Sequence, residues 1–364
     1  MKSFTKNIMR SALQLASMNW KAYSHLILYA DNAGWVLDWE RQEMLKLCNG
    51  LNIPVVKPIW KYAATPQSVF FFDQFFLQND DWLELLPNRI GFAYFHGIPH
   101  TGFEMFDHIY QQLEKYHTDI SRIQVTHSEM RNLILSTGID PQKVFQIPIG
   151  INLGFFPFRT QEMKQKARQE FGIPQSAFVI GSIQKDGIGW GDGMEPKLEK
   201  GPDILVATAS KLKKDIPELL VLLVGPARGY VKAGLEQAGV RYIHIPQQPY
   251  PQIGKIFSAL DMYLISSRQE GGPKAVLESM ASGIPLVTTR VGHAMDIVIN
   301  GQNGWITDVG DVEALTAHSL EIYNASSSDI QPILENARKV AEENSYEKQT
   351  SLWADFMKGF VDTD

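Results

Sequence analysis

Two carboxylates, Glu270 and Glu278, stand eight residues apart on either side of the turn Gly271-Gly272-Pro273-Lys274-Ala275. The apolar run Met262–Ile265 ahead of them reads as a strand, which the glycines and the proline end. Pro273 suits the first turn of a helix, where its missing N–H costs nothing. Val276, Leu277 and Met280 give that helix an apolar face, Gly283 stops it, and Leu286–Thr288 reads as the next strand. A helix N-terminus presents unpaired amides and the positive end of the helix dipole. With a carboxylate on each side, it predicts a site for a ligand that carries both phosphate and hydroxyl groups.

Glu270, seven residues, Glu278 and then Gly283-Ile284-Pro285 resemble the motif of the retaining glycosyltransferases of family 4, which have the GT-B fold. The resemblance implies that Glu270 contacts a donor sugar and Glu278 the ribose hydroxyls. It also implies that the intervening amides, at Gly272, Lys274 and Ala275, hold a diphosphate. One departure stands out. The family more often has Gly-Phe-Gly after the first Glu, whereas this chain has Gly271-Gly272-Pro273. Pro273 has no amide to donate, which shifts that duty to Lys274 and Ala275.

Further positions follow from the same resemblance. The family has a strand ending in Gly-x-x, then Arg, then Lys-Gly, and the two cations neutralise the diphosphate as the sugar bond breaks. Here Gly181-Ser182-Ile183-Gln184 leads to Lys185 in place of the Arg. Lys200-Gly201 follows after the glycine-rich insertion Asp186–Glu199, which matches neither the dinucleotide nor the Walker pattern. A lysine is a point charge rather than a fork, so Arg268 competes with Lys185 for the role. In the first half, Phe92-Ala93-Tyr94-Phe95 leads to His96, at the carboxyl end of a strand where α/β sheets gather ligands. His96 matches a family histidine that bonds the donor sugar, with His100 as the alternative. Gly34, in Asn32-Ala33-Gly34, matches the family's glycine loop toward the diphosphate. Base contacts are expected from the backbone around His244–Gln247.

Short apolar runs alternating with amphipathic stretches must position these residues. Strands read at 25–29, 53–56, 69–72, 91–95, 122–126 and 144–147, then at 178–182, 219–224 and 242–245. Helices read at 38–48, from a cap at Ser128 to 137, and at 161–171, 204–212, 231–238, 253–259, 312–323 and 330–343. Strands alternating with helices predict parallel sheets. The expected architecture is α/β, GT-B, with two Rossmann-like parallel-sheet domains facing a central cleft. The expected parts are a basic N-terminal extension (1–24), an acceptor domain (25–152), a nucleotide-sugar donor domain (153–345) and a C-terminal helix (346–364) crossing back to the first domain.

Composition sets the outer limits. With 364 residues and 44% hydrophobic, the chain can build two cores. A net charge of −6 argues against a nucleic-acid binder. The single Cys48 excludes an internal disulfide and a cysteine metal cluster. Asp73, Asp80, Asp81, Asp107 and His127 lack metal-ligand spacing, and Asp362-Thr363-Asp364 falls at the last residues; no metal site and no cofactor are expected. No apolar run approaches a membrane span and no signal peptide is read, so a cytoplasmic location is expected. No acid precedes Asp31, while Lys2, Lys6, Arg10 and Lys21 are basic and Phe4, Ile8, Leu15 and Met18 share a helical spacing. That segment carries a second expectation, peripheral membrane contact, against a solvated extension.

The resemblance implies transfer of a sugar from a nucleotide-diphosphate sugar to an acceptor hydroxyl, with retention and without a metal. The acceptor is open: saccharide, lipid-linked or small molecule. The mechanism it implies is front-face attack, in which the leaving phosphate accepts the acceptor's proton. A nucleotide-sugar epimerase on the same fold, or a non-catalytic nucleotide-sugar-binding partner subunit, are the alternatives.

Overall fold

The computed structural model describes residues 2–30, 36–102, 104–246 and 248–363. The chain divides into two compact units, Met1–Ile149 with Gln349–Asp364, and Gly150–Lys348. Each is an α/β unit built on a six-stranded parallel sheet among the described residues.

In the first unit the strands are β1 (Leu26–Tyr29), β2 (Val55–Val56), β3 (Ser68–Phe71), β4 (Arg89–Tyr94), β5 (Ile120–Val125) and β6 (Val144–Gln146). Their order is β2-β1-β3-β4-β5-β6, every neighbour parallel. Central parallel strands are covered on both faces, so they read as continuous apolar runs rather than alternations. Ile27, Val69, Phe70, Phe92 and Ile123 are accordingly fully buried. The helices are α1 (Lys2–Ala16), α2 (Val36–Gly50), α3 (Glu104–Tyr116) and α4 (Ser128–Leu135). The last helix, Thr350–Met357, also belongs here, with Trp353 and Phe356 edge-on to Phe70 at 5.9 and 5.6 Å between ring centroids. Phe360 lies so close to β4 that a Cβ at Gly91 would stand 2.8 Å from its ring. The segment before β1 is tied in as well: Ala64 N–H donates to Ser17 Oγ (2.8 Å) and Tyr23 N–H to the Pro66 carbonyl (2.7 Å).

Two local readings differ. Ser128 is the first helical residue of α4 rather than its cap, and His127 holds the extended position before it without a side-chain cap bond. Helix α3 was not anticipated, although Phe106, Ile109 and Leu113 recur at helical spacing and are its buried residues.

In the second unit the strands are β7 (Phe178–Ile183), β8 (Leu219–Val224), β9 (Arg241–Ile245), β10 (Met262–Ile265), β11 (Leu286–Thr289) and β12 (Trp305–Thr307). The helices are α5 (Gln161–Glu170), α6 (Pro202–Asp215), α7 (Gly229–Gln237), α8 (Ile253–Ser258), α9 (Lys274–Ser282), α10 (Ala294–Ile297), α11 (Val312–Asn324) and α12 (Ser327–Glu343). Strand β12, three residues long, gave no readable pattern. The sheet order is β12-β11-β10-β7-β8-β9. The chain winds outward from β7 in one direction and from β10 in the other, so the order reverses between them. In open α/β sheets that reversal opens a crevice at the carboxyl ends of the two strands. Lys185 follows β7 and Glu270 follows β10.

Helix α5 reads as polar, yet one of its cations is core. The buried Arg168 guanidinium donates to Asp261 (2.6 Å) and to the Ala259, Gln175 and Ala177 carbonyls (3.0, 2.9 and 3.0 Å). These bonds satisfy a buried charge and pin α5 beside β7.

Candidate functional site

The segment after β10 is laced to the segment before α6. Arg268 N–H and Gln269 N–H donate to the Glu199 carbonyl (2.8 and 3.1 Å), and Ser266 Oγ donates to the Gly201 carbonyl (2.8 Å). The Arg268 guanidinium grips both Asp203 oxygens (2.8 and 2.6 Å) and the Leu198 carbonyl (2.8 Å). This bidentate pair occupies Arg268, the competitor for the phosphate role. Gly201 lies in the left-handed region (φ 61°), and a Cβ there would stand 1.9 Å from the Ser266 carbonyl oxygen. Only glycine permits both the conformation and the approach.

That lacing brings Lys200 to Glu270. The ammonium lies 2.7 Å from one carboxylate oxygen, and Ser267 Oγ donates to the other at 2.8 Å. Both side chains keep some exposure, 29% for Lys200 and 12% for Glu270, so the pair faces open space rather than core. Thr289 Oγ1 holds the Ser267 carbonyl (2.6 Å). Gly292 (φ 51°) lets its loop close onto the site, where a Cβ would come 2.7 Å from the Glu270 carbonyl oxygen.

Helix α9 starts one residue later than expected. Pro273 is the capping residue and Lys274 the first helical one. Val276 N–H donates to the Pro273 carbonyl (3.0 Å), and the amides of Lys274 and Ala275 precede any i−4 acceptor within the helix. The Lys274 side chain turns to Tyr346 Oη (2.8 Å) and the Gly150 carbonyl (3.4 Å), between the Tyr250 and Tyr346 rings. Its backbone, not its ammonium, therefore fits the phosphate role; Gly272 and Ala275 are half-buried on either side. Gly283 (φ 65°) ends the helix as read from sequence, with Ile284 N–H bonded to the Ser279 carbonyl at 3.0 Å.

Glu278 is buried at 4% exposure within α9. Burial pushes its carboxyl up to about 7, against the partial opposition of Lys274 and of a hydrogen bond from Tyr250. The two glutamates thus differ in kind: Glu270 is ion-paired at the surface of the site, and Glu278 is a desolvated acid that titrates near neutrality.

The Lys185 ammonium lies 3.9 Å from the centre of the Trp190 ring, on the insertion. Burial and the facing Lys197 push its pKa down. Its neighbour Gln184 donates to the Lys200 carbonyl (3.3 Å). His96 is in the first unit, two residues past β4, with its ring near Phe106 (5.7 Å) and Phe75 (6.3 Å) and its carbonyl accepting from Gln74 (2.6 Å). His100 is exposed and faces Asp107 at 3.6 Å. Gly34, with Asn32 and Ala33, lies outside the described residues, as does Gln247. His244 Nε2 meets the Gly225 carbonyl at 2.8 Å. Sequence reasoning missed Ser267, Asp203 and the conformational duties of Gly201 and Gly292. It also missed the buried Asp186–Arg228 pair (2.9 Å), whose guanidinium donates to the Ser182 carbonyl at 2.8 Å.

Residues 196–346 match the family model for glycosyl transferases group 1. The matched stretch contains Lys200, Glu270 and Glu278 but not Lys185. Among curated relatives, the D-inositol 3-phosphate glycosyltransferase of Segniliparus rotundus is 30% identical over 191 residues, 50% of this chain and 40% of that protein. The one from Corynebacterium urealyticum is 26% identical over 219 residues, 55% of this chain and 48% of that protein. The chain thus matches less than half the length of these relatives. Among solved structures, Anabaena HepE in complex with UDP and glucose superposes with a TM-score of 0.73 at 16% identity, covering 92% of this chain and 100% of that one. WaaG, a glycosyltransferase involved in lipopolysaccharide biosynthesis, gives 0.70 at 15% identity, covering 92% and 99%. The fold is that of the GT-B glycosyltransferases.

Proposed function

We propose that the chain is a retaining glycosyltransferase that moves a sugar from a nucleotide-diphosphate sugar to an acceptor hydroxyl without a metal. The observation that carries this reading is the Lys200–Glu270 pair, 2.7 Å apart, with Glu270 on the turn that leads into α9, which carries Glu278. A cation, a helix N-terminus and two carboxylates in one unit suit a ligand with a diphosphate, a sugar and a ribose. The group 1 family match over the same residues supports it, as does the fold shared with HepE, whose structure holds UDP and glucose.

In this reading the donor diphosphate lies against the amides of Lys274 and Ala275 and beside Gly272. Its negative charge draws Lys200 away from Glu270. Lys200 then faces the oxygen on which charge grows as the sugar bond breaks, where a fixed cation does most for the rate. Glu270, released on one oxygen, accepts hydrogen bonds from sugar hydroxyls. Glu278 accepts from the ribose. His96 and Gly34 keep their proposed places at the sugar and the diphosphate. The leaving phosphate takes the proton of the attacking hydroxyl, so the site needs no separate base. Cytoplasmic location and peripheral membrane contact through the basic segment remain part of the proposal; Ile8, Met9 and Leu15 of α1 are exposed, as such contact requires.

A panel of nucleotide sugars, read by thermal shift and by nucleoside diphosphate release, tests the reading. One donor should stabilise the chain and release its nucleotide slowly to water, faster with an acceptor. Interconversion of sugars without release would favour an epimerase, and stabilisation with no turnover a non-catalytic binder.

A further inference from the structure

The insertion between Lys185 and Lys200 is anchored like a core element yet turns its apolar side chains outward. Its base is fixed by the buried Asp186–Arg228 pair and by a bridge between Gly187 and Pro196. Gly229 N–H and Tyr230 N–H bind the Asp192 and Gly193 carbonyls (2.6 and 3.0 Å). Gly193 packs so tightly that a Cβ would stand 2.2 Å from the Ala227 carbonyl oxygen. Against this rigid frame, Ile188, Trp190, Met194 and Leu198 are exposed. Among the described residues they are four of the six large exposed hydrophobics in the second unit. Scattered apolar residues on a surface need no explanation, but four on one pinned loop mark a binding surface.

Charge and continuity say what it binds. Lys185 and Lys197 sit at the base of the loop, just outside the Gly187–Pro196 bridge, while the acids Asp192 and Glu195 lie inside it. The two lysines repel each other, and among the described residues neither makes an ion pair. An anion between them would relieve that repulsion. Met194 then leads to a groove of about 550 Å³ between α6 and α7, lined by Val206, Tyr230 and Ala233 and, at its polar edge, by Ser210 and the Arg268-paired Asp203. Gln184 joins the loop to the site already described, donating to Asp186 (3.4 Å) and to the Lys200 carbonyl (3.3 Å).

We propose that the insertion is an acceptor subsite for a molecule that joins an anionic group to an apolar one. The anion lies at Lys185 and Lys197, and the apolar part runs along Trp190 and Met194 toward the α6–α7 groove. This rests on the glycosyltransferase reading and reassigns Lys185 from the donor diphosphate to the acceptor.

Calorimetry on the full chain tests it, with octyl phosphate below its micelle concentration as the probe. Octyl glucoside and inorganic phosphate serve as half-probes, and UDP, ADP and GDP as donor-site ligands. Octyl phosphate should bind, and bind better than either half-probe. Trp190→Ser, Lys197→Ala and Lys185→Ala should each weaken it about ten-fold, while the best nucleoside diphosphate keeps its affinity within about two-fold in all three. If octyl phosphate binds the variants as it binds the native chain, or no better than octyl glucoside, the subsite is wrong. If Lys185→Ala costs the nucleoside diphosphate as much as Lys200→Ala does, Lys185 serves the donor and the reassignment fails. Absence of any nucleoside diphosphate binding would instead overturn the transferase reading, and the octyl phosphate titration would still decide the subsite.

Discussion

Glu278 is the residue whose chemistry is most exposed to test. Its folded-state value of about 7 lies above the ordinary carboxyl range, so the native state binds more protons than the unfolded state in between. Its contribution to stability is therefore largest below the unfolded value and is lost as pH rises through about 7. Glu278→Gln should lose less stability between pH 5 and pH 8 than the native protein, measured by urea unfolding at both. The same ionisation should serve the ligand. Nucleoside diphosphate affinity should rise from pH 6 to pH 8 more steeply in the native protein than in Glu278→Gln, and parallel profiles would remove Glu278 from the ribose. For the neighbouring pair, Lys200→Ala should cut kcat more than it raises KM for the donor, because its interaction strengthens as the diphosphate departs. Glu270→Ala should nearly abolish transfer with little change in nucleoside diphosphate affinity. Its carboxylate is surface-facing and holds no core, so the thermal midpoint should barely move.

At the scale of elements, the site depends on short connections forced into position. Gly201→Ala places a Cβ against the Ser266 carbonyl at a φ of 61°. The left-handed conformation alone costs about 1–2 kcal/mol for a non-glycine residue, and the clash adds to it. Urea unfolding should show at least that loss with an unchanged m-value, and a neutral result would mean the Lys200 turn is not fixed as described. Arg228 is a harsher case. It is buried with Asp186, and burial pushes the aspartate up and the arginine down while their attraction opposes both. Removing one partner strands the other charge, so Arg228→Ala should cost about 3–5 kcal/mol. Asp186→Asn combined with Arg228→Met should cost less than Arg228→Ala alone, since no buried charge remains.

For the whole molecule, the testable consequence is independence from metal. In the proposed mechanism Lys200 and the amides of α9 supply the positive charge that a divalent ion supplies in other transferases. Activity of the full chain should survive EDTA, and loss on chelation restored by manganese would overturn the mechanism proposed above. In the proposed reading Lys200, Glu270, Glu278 and the α9 amides that meet a donor-site ligand all belong to the second unit. At about 100 times its dissociation constant it should stabilise that unit by about 2.7 kcal/mol. Hydrogen exchange should slow within 150–348 around α9.

Periodicity and punctuation determined the strands of both sheets, β12 excepted, to within a few residues, because parallel strands buried on both faces must be apolar and bounded by turn formers. They also determined the stop of α9 at Gly283, since a left-handed residue there is written as glycine. The candidate carboxylates and Lys200 stand out in the sequence because motif spacing is a one-dimensional property. The partners of the cations were not legible. Arg268 reads as a free phosphate ligand until Asp203, sixty-five residues earlier, takes both its forks. The stacking of Lys185 over Trp190 was equally invisible in the sequence. Pairings between residues far apart in sequence, and the desolvation that moves Glu278 to near neutrality, arise only when packing fixes which charges meet and how much water they lose. That is why the sequence singled out candidate residues for the chemistry, and tertiary structure alone decided their partners and protonation.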